Sequence, residues 1–146
     1  MAFYRVSGAP NIQPMNGAAS TVLSANGLVT MVSGALAKSS SSSNVISGIC
    51  LETRASTDSD YATARPVLVD MLGPDVLVFC DNVTGTLTAA MEGQFMKLSS
   101  TAGLVADAGT ATDTPAAGLV LMLVKYVSAT SGYFMVNGLK QERPAA

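Results

Sequence analysis

From Ser20 to Asn137 the apolar residues come in short runs, each cut off by turn residues. The runs are Thr21-Val-Leu, Leu28-Val-Thr-Met-Val, Val45-Ile-Ser-Gly-Ile-Cys-Leu, Val67-Leu-Val-Asp-Met, Asp75-Val-Leu-Val-Phe-Cys and Phe95-Met-Lys-Leu. Asn26-Gly27, Ser33-Gly34, Gly73-Pro74 and Thr84-Gly85 punctuate them. Frequent short strands broken by turn residues predict an all-β fold, a small β-barrel or sandwich, rather than βαβ units. The one helix candidate, Thr86 to Glu92, fits a strand nearly as well. Near the C-terminus, Gly118-Leu-Val-Leu-Met-Leu-Val-Lys-Tyr-Val, the turn Ser131-Gly132 and Tyr133-Phe-Met-Val-Asn read as a hairpin. Its first strand is apolar on both faces, which places it centrally or under another chain.

The two ends differ from this body. Residues 1–19 combine Gly8, Pro10, Pro14 and Gly17 with isolated large side chains, Phe3, Tyr4, Ile12 and Met15. A disordered tail carries fewer aromatic and branched residues, so the expectation is an extended N-terminal arm that becomes ordered on a neighbour. The β-domain then spans 20–138, and 139–146 forms a polar tail. Ser39 through Ser43 reads as a solvated loop, and Asp107 to Thr114 (DAGTATDT) as a second polar loop.

Those two loops sit at matching places in two similar blocks. The first runs from Asn26-Gly-Leu-Val-Thr-Met-Val through Gly34 and the serine tract to Gly48-Ile-Cys-Leu. The second runs from Glu92-Gly-Gln-Phe-Met-Lys-Leu through Gly103 and the polar stretch to Gly118-Leu-Val-Leu. A period of this size marks a duplicated unit, and two similar halves could close one barrel around a pseudo-twofold axis.

Charge and chemistry narrow the function. Of 146 residues, 49% are apolar and only 12% charged, about half the usual charged fraction, which suggests a surface covered by partner protein. The net charge is −2 and the eight basic residues are scattered, a poor match to nucleic acid. The longest apolar run, Ala116 to Val124, is too short for a membrane helix, and the N-terminus lacks the order of a secretory signal. Cys50 and Cys80 lie in apolar runs and read as buried free thiols rather than a disulfide or a zinc site.

The chain has no histidine, so His-based general acid–base catalysis, serine triads and His-ligated metals fall away together. No nucleophile elbow, phosphate loop or dinucleotide fingerprint occurs. Asp58-Ser59-Asp60 is the one close carboxylate pair, and it reads as a solvated loop. Asn82-Val83-Thr84 matches the glycosylation pattern but reads as a turn. The eight methionines suit core filling first and an adaptable binding surface second. The expectation is a non-enzymatic chain with no catalytic residue, cofactor or metal.

Gly27-Leu-Val-Thr-Met, Ser47-Gly48-Ile-Cys-Leu-Glu, Gly93-Gln-Phe-Met-Lys-Leu and Gly118-Leu-Val-Leu-Met, in this order behind an N-terminal arm, resemble the small β-barrel decoration, or cement, proteins of tailed-bacteriophage capsids. The likeness covers most of 20–137 and rests on barrel grammar rather than a chemical signature. It implies a virion structural protein, made in the host cytoplasm, that sits on the capsid exterior and clamps neighbouring major capsid subunits. It also implies self-association, with a trimer as one form. Phe3, Tyr4, Arg5, Ile12 and Met15 are then expected to carry the partner contact, because aromatic and Arg side chains dominate interface energetics. Deleting residues 2–16 is expected to leave the barrel folded. The alternatives are a tail-tube, head-completion or fibre-base protein, or a carbohydrate-binding β-module. The last is disfavoured by the absence of Trp.

Overall fold

A computed structural model describes residues 2–40, 45–63, 65–73, 76–99, 104–114 and 116–136. Within them the chain is all-β, with strands β1 (Phe3–Arg5), β2 (Ile12–Asn16), β3 (Leu28–Val32), β4 (Ala35–Lys38), β5 (Gly48–Cys50) and β6 (Pro66–Met71). There follow β7 (Leu77–Cys80), β8 (Val83–Thr84), β9 (Phe95–Leu98), β10 (Ala106–Thr112), β11 (Leu121–Ser128) and β12 (Ser131–Val136). The helix candidate at 86–92 shrinks to one 3-10 turn, Ala89–Met91, with no buried residue to anchor a longer helix. Two sheets pack in a sandwich-like arrangement, one ordered β2-β6-β5-β3-β4 and the other β1-β7-β12-β11-β9-β10-β8.

The two sheets are built on one plan. In each, a central strand (β3 or β9) pairs antiparallel with the next strand (β4 or β10) on one side and with the one after that (β5 or β11) on the other. A final strand (β6 or β12) then lies between that third strand and the strand that opens the unit (β2 or β7). The match reaches single hydrogen bonds. The Asn26 N–H donates to the Cys50 carbonyl and the Cys50 N–H to the Gly27 carbonyl, at 2.8 and 2.9 Å. In the second unit Gly93 donates to Leu123 and Leu123 to Gln94, at 2.7 and 3.0 Å. Asn26 and Gly93 both have positive φ, 65° and 88°, a turn conformation that asparagine and glycine tolerate best.

Each unit curls its own sheet. Gly17, directly after β2 on one edge, bridges in parallel to Leu36 of β4 on the opposite edge. Likewise β8 is one edge of the larger sheet and β7 lies next to the other, inside β1, although only Asp81 and Asn82 separate them, a span of about 10 Å at most. The halves therefore do not share one barrel, because each closes locally through its own opening strand.

Two cores result. Leu23, Val29, Leu36, Cys50, Val67 and Val69 fill the first unit. The larger core holds Val78, Met96, Leu98, Leu121, Leu123 and Phe134 of the second unit, and also Leu28, Ile46 and Ile49 of the first. Successive residues of a strand face opposite ways, so β3 and β5 serve both cores, with Leu28 and Ile49 on one side and Val29 and Cys50 on the other. Gly48 is required at this crowded position, since a Cβ there would lie 2.5 Å from the Asp70 carbonyl oxygen and 2.7 Å from Val69 Cγ1.

Several expectations change. Residues 2–16 are not a separable arm: β1 is an edge strand of the larger sheet and β2 an edge strand of the smaller, so this segment is ordered on its own chain. The stretch 106–112 is strand rather than loop. Its threonines suit a strand, and a bulge between Asp107 and Thr112 absorbs the glycine, with Gly109 N–H donating to Asp107 Oδ1 and Lys97 N–H to Thr110 Oγ1. Ser39 is buried, its hydroxyl 2.6 Å from that of Thr30 and its N–H on the Leu28 carbonyl. Residues 41–43 of the serine tract and the 139–146 tail lie outside the described residues. Thr21 to Leu23 forms no strand, only a bridge from Leu23 to Arg54.

Candidate interaction surface

The five residues expected to carry the partner contact have different fates. Phe3 is fully buried in the larger core, opposite Cys80, and has no surface to offer. Arg5 turns inward. Its Nε and Nη2 donate to Asp70 Oδ2 and Oδ1 at 2.8 and 2.7 Å, Nη2 also reaches the Met71 carbonyl at 2.9 Å, and Nη1 reaches the Ser7 carbonyl. Asp70 further accepts the Asn11 N–H at 3.0 Å. Arg5 is thus a clamp between β1 of one sheet and β6 of the other. Met15 is half-buried against the small core, Tyr4 is half-buried opposite Phe79, and Ile12 is 50% exposed. Of the five, Ile12 and Tyr4 remain as surface groups.

What the sequence did not bring together is a pair of corresponding apolar rows. In the first unit Pro14 pairs with Leu68, and the Leu51 N–H donates to the Leu68 carbonyl, so Pro14, Leu68 and Leu51 line up across β2, β6 and the end of β5. Leu68 is 44% and Leu51 40% exposed, and Ile12 lies on the same strand as Pro14. In the second unit Tyr4, Phe79 and Tyr133 line up across β1, β7 and β12, the last two rings 5.2 Å apart and tilted by 58°. Leu68 precedes Val69, the partner of Cys50, and Tyr133 precedes Phe134, the partner of Leu123, so Pro14 and Leu68 occupy the same places in the repeated plan as Phe79 and Tyr133, while Tyr4 extends the second row onto β1. Val124 follows Leu123 as Leu51 follows Cys50, and it too is exposed. The signal in the sequence was the outward member of each strand's alternation, visible only once the register is known.

The rows differ in what stands beside them. Where β11 and β12 are joined through Ala129-Thr130, β5 and β6 are joined by residues 51–65, which gather Glu52, Arg54, Asp58, Asp60, Tyr61 and Arg65. This loop is solvated, with Ser56, Thr57, Ser59, Ala62 and Thr63 exposed, and it is also held. Glu52 accepts the Leu68 N–H at 2.6 Å and Arg65 Nη1 at 3.3 Å, Arg65 pairs with Asp60, and Asp58 Oδ2 accepts the Ala55 N–H at 2.9 Å. The Asp58 and Asp60 carboxylates are therefore engaged in turn and ion-pair contacts. Arg54 is fully buried beneath the loop, its Nη2 donating to the carbonyls of Ala18 and Tyr61 and its guanidinium 5.9 Å from the Tyr61 ring. An arginine in a polar stretch gives no sign of such burial.

Cys50 and Cys80 are free and buried, in different cores. Burial pushes both thiols up, Cys80 to about 11, so neither is a thiolate at neutral pH. Among the described residues no three His, Cys, Asp or Glu side chains converge as a metal site, and no helix is long and apolar enough to cross a membrane. A scan against protein-family models, a search of curated proteins and a search of solved structures each return no match.

Proposed function

We propose that this chain is a structural protein that binds the outside of a tailed-phage head and stabilises it by clamping neighbouring major capsid subunits. The observation that carries the reading is the pair of corresponding apolar rows, Pro14-Leu68-Leu51 and Phe79-Tyr133-Val124, the second extended by Tyr4 of β1. A clamp between two like neighbours needs two like faces on a rigid body, and a duplicated unit supplies them. Apolar rows rimmed by polar groups are the usual form of a protein-binding surface. The low charge of the chain fits a surface that is largely covered in the assembly.

The test is co-sedimentation of the purified chain with expanded capsids that lack it. Saturation near one copy per capsid subunit supports the reading, and Leu68→Ser combined with Ile12→Ser should abolish it without unfolding the protein. A few copies per particle would move the chain to a tail or vertex role. No binding at all would remove the capsid-exterior assignment.

A further inference from the structure

We propose that β1 is an exchangeable strand: in the self-associated protein, Phe3–Arg5 of one copy lie along β7 of a second copy and seal its larger core. The first ground is the duplication. β2 to β6 and β7 to β12 follow the same plan, with β8 answering to the Gly17–Leu36 bridge of the first unit, and among the described residues β1 has no counterpart in it. It is an addition to a finished unit, which is the kind of element that can be donated.

The second ground is where its contacts lie. Phe3, Tyr4 and Arg5 pair with Cys80, Phe79 and Val78, and Arg5 forks onto Asp70, all more than 60 positions along the chain. A strand held by remote partners makes the same contacts whichever copy supplies it, so exchange has little net cost once the local concentration is high. The connection from Gly8 to Asn11 is exposed, and Gly8 has φ 77°, a conformation from which glycine can swing into the alternatives that other residues resist.

The third ground is selectivity. The seat on β7 ends in a fully buried pocket for Phe3 and in a carboxylate, Asp70, placed for a bidentate guanidinium. A donor must therefore present an aromatic residue and, two positions later, an arginine. That complementarity of shape and charge selects a second copy of this chain. In the exchanged form the Arg5–Asp70 pair becomes an intermolecular bond.

The test uses purified full-length protein without capsids, so its outcome is independent of the capsid reading. Tyr4 and Phe79 face each other as a pair in the β1–β7 ladder, a separation that a disulfide can span. The single variants Tyr4→Cys and Phe79→Cys are unfolded together, refolded, concentrated and oxidised mildly. Exchange predicts a reducible dimer in which mass spectrometry finds residue 4 of one chain joined to residue 79 of the other. A second variant lacking Gly8 and Ala9 shortens the connection so that β1 no longer reaches its own β7, and exchange predicts that it runs entirely as oligomer in light scattering. Finding no 4–79 link between chains, or a shortened variant that stays monomeric, overturns the proposal.

Discussion

Arg5 grips Asp70 with two hydrogen bonds of 2.8 and 2.7 Å, and through this pair the opening strand of the chain is fastened to the opposite sheet. Both side chains are about nine-tenths buried. The Arg5 guanidinium holds the Asp70 carboxyl below the usual carboxylate range, helped by the Asn11 N–H. The folded state therefore binds this proton less readily than the unfolded chain, and the pair's stabilisation is complete above the ordinary Asp value of about 3.9. It is lost as pH falls through the lower folded value. Denaturation midpoints measured from pH 7 down to pH 2 should decline at the acid end, and Asp70→Asn should flatten that decline. At neutral pH Asp70→Ala is expected to cost about 3 kcal/mol, because it strands a buried guanidinium. A variant that melts like the parent would show the clamp to be idle.

Phe3 and Ile12 separate core from surface within the same segment. Phe3→Ala empties a fully buried site and should lower stability by about 3 to 4 kcal/mol in urea unfolding. Ile12→Ser, at a half-exposed position, should change it by less than about 0.5 kcal/mol. Deleting residues 2–16 should leave no folded domain, since it removes an edge strand from each sheet. A folded deletion product with native far-ultraviolet dichroism would return this segment to the status of an arm.

Much of the fold was legible because strand alternation and turn residues are local. The runs at Leu28, Val67 and Phe95 and the closing hairpin all became strands. The likeness of the two blocks was legible through their glycines but out of register: the sequence sets Gly27 against Gly93 and Gly48 against Gly118, whereas in the ladders Gly93 answers to Asn26 and Leu123 to Cys50. The status of residues 2–16 was not, since a three-residue strand is stabilised by its partner, and nothing near Phe3 in the chain names Cys80 or Asp70. Composition also misled at Asp107 to Thr112, where small polar residues form a strand held by neighbouring ladders. The apolar rows required register, which no local pattern supplies.

The thiols give a check on both cores at once. Burial raises Cys50 and takes Cys80 to about 11, so a thiol reagent at pH 7.5 meets almost no thiolate and no open path. Labelling of native protein should be negligible over hours and reach two thiols per chain on unfolding. Because Cys50 belongs to the six-residue core and Cys80 to the larger one, partial denaturation should expose Cys50 first. Simultaneous labelling would mean that the two units open as one.

Arg54 sets the last expectation. It lies fully buried with Nε and Nη1 lacking hydrogen-bond partners among the described residues, and its Nη2 ties the 51–65 loop to the Ala18 carbonyl. A buried cation held by two carbonyls and the Tyr61 ring loses most of its hydration for a modest return. Methionine has a comparable length and no charge to desolvate, so Arg54→Met should leave global stability within about 1 kcal/mol of the parent or raise it. The loop, however, loses its side-chain tether to Ala18, while the Tyr61 contacts with Ser20 and the backbone pairing of Arg54 with Leu23 remain. Cleavage by an endoproteinase acting after aromatic residues should therefore accelerate at Tyr61 while the melting temperature holds. If Arg54→Met instead unfolds the first unit, the guanidinium is a net stabiliser of that core.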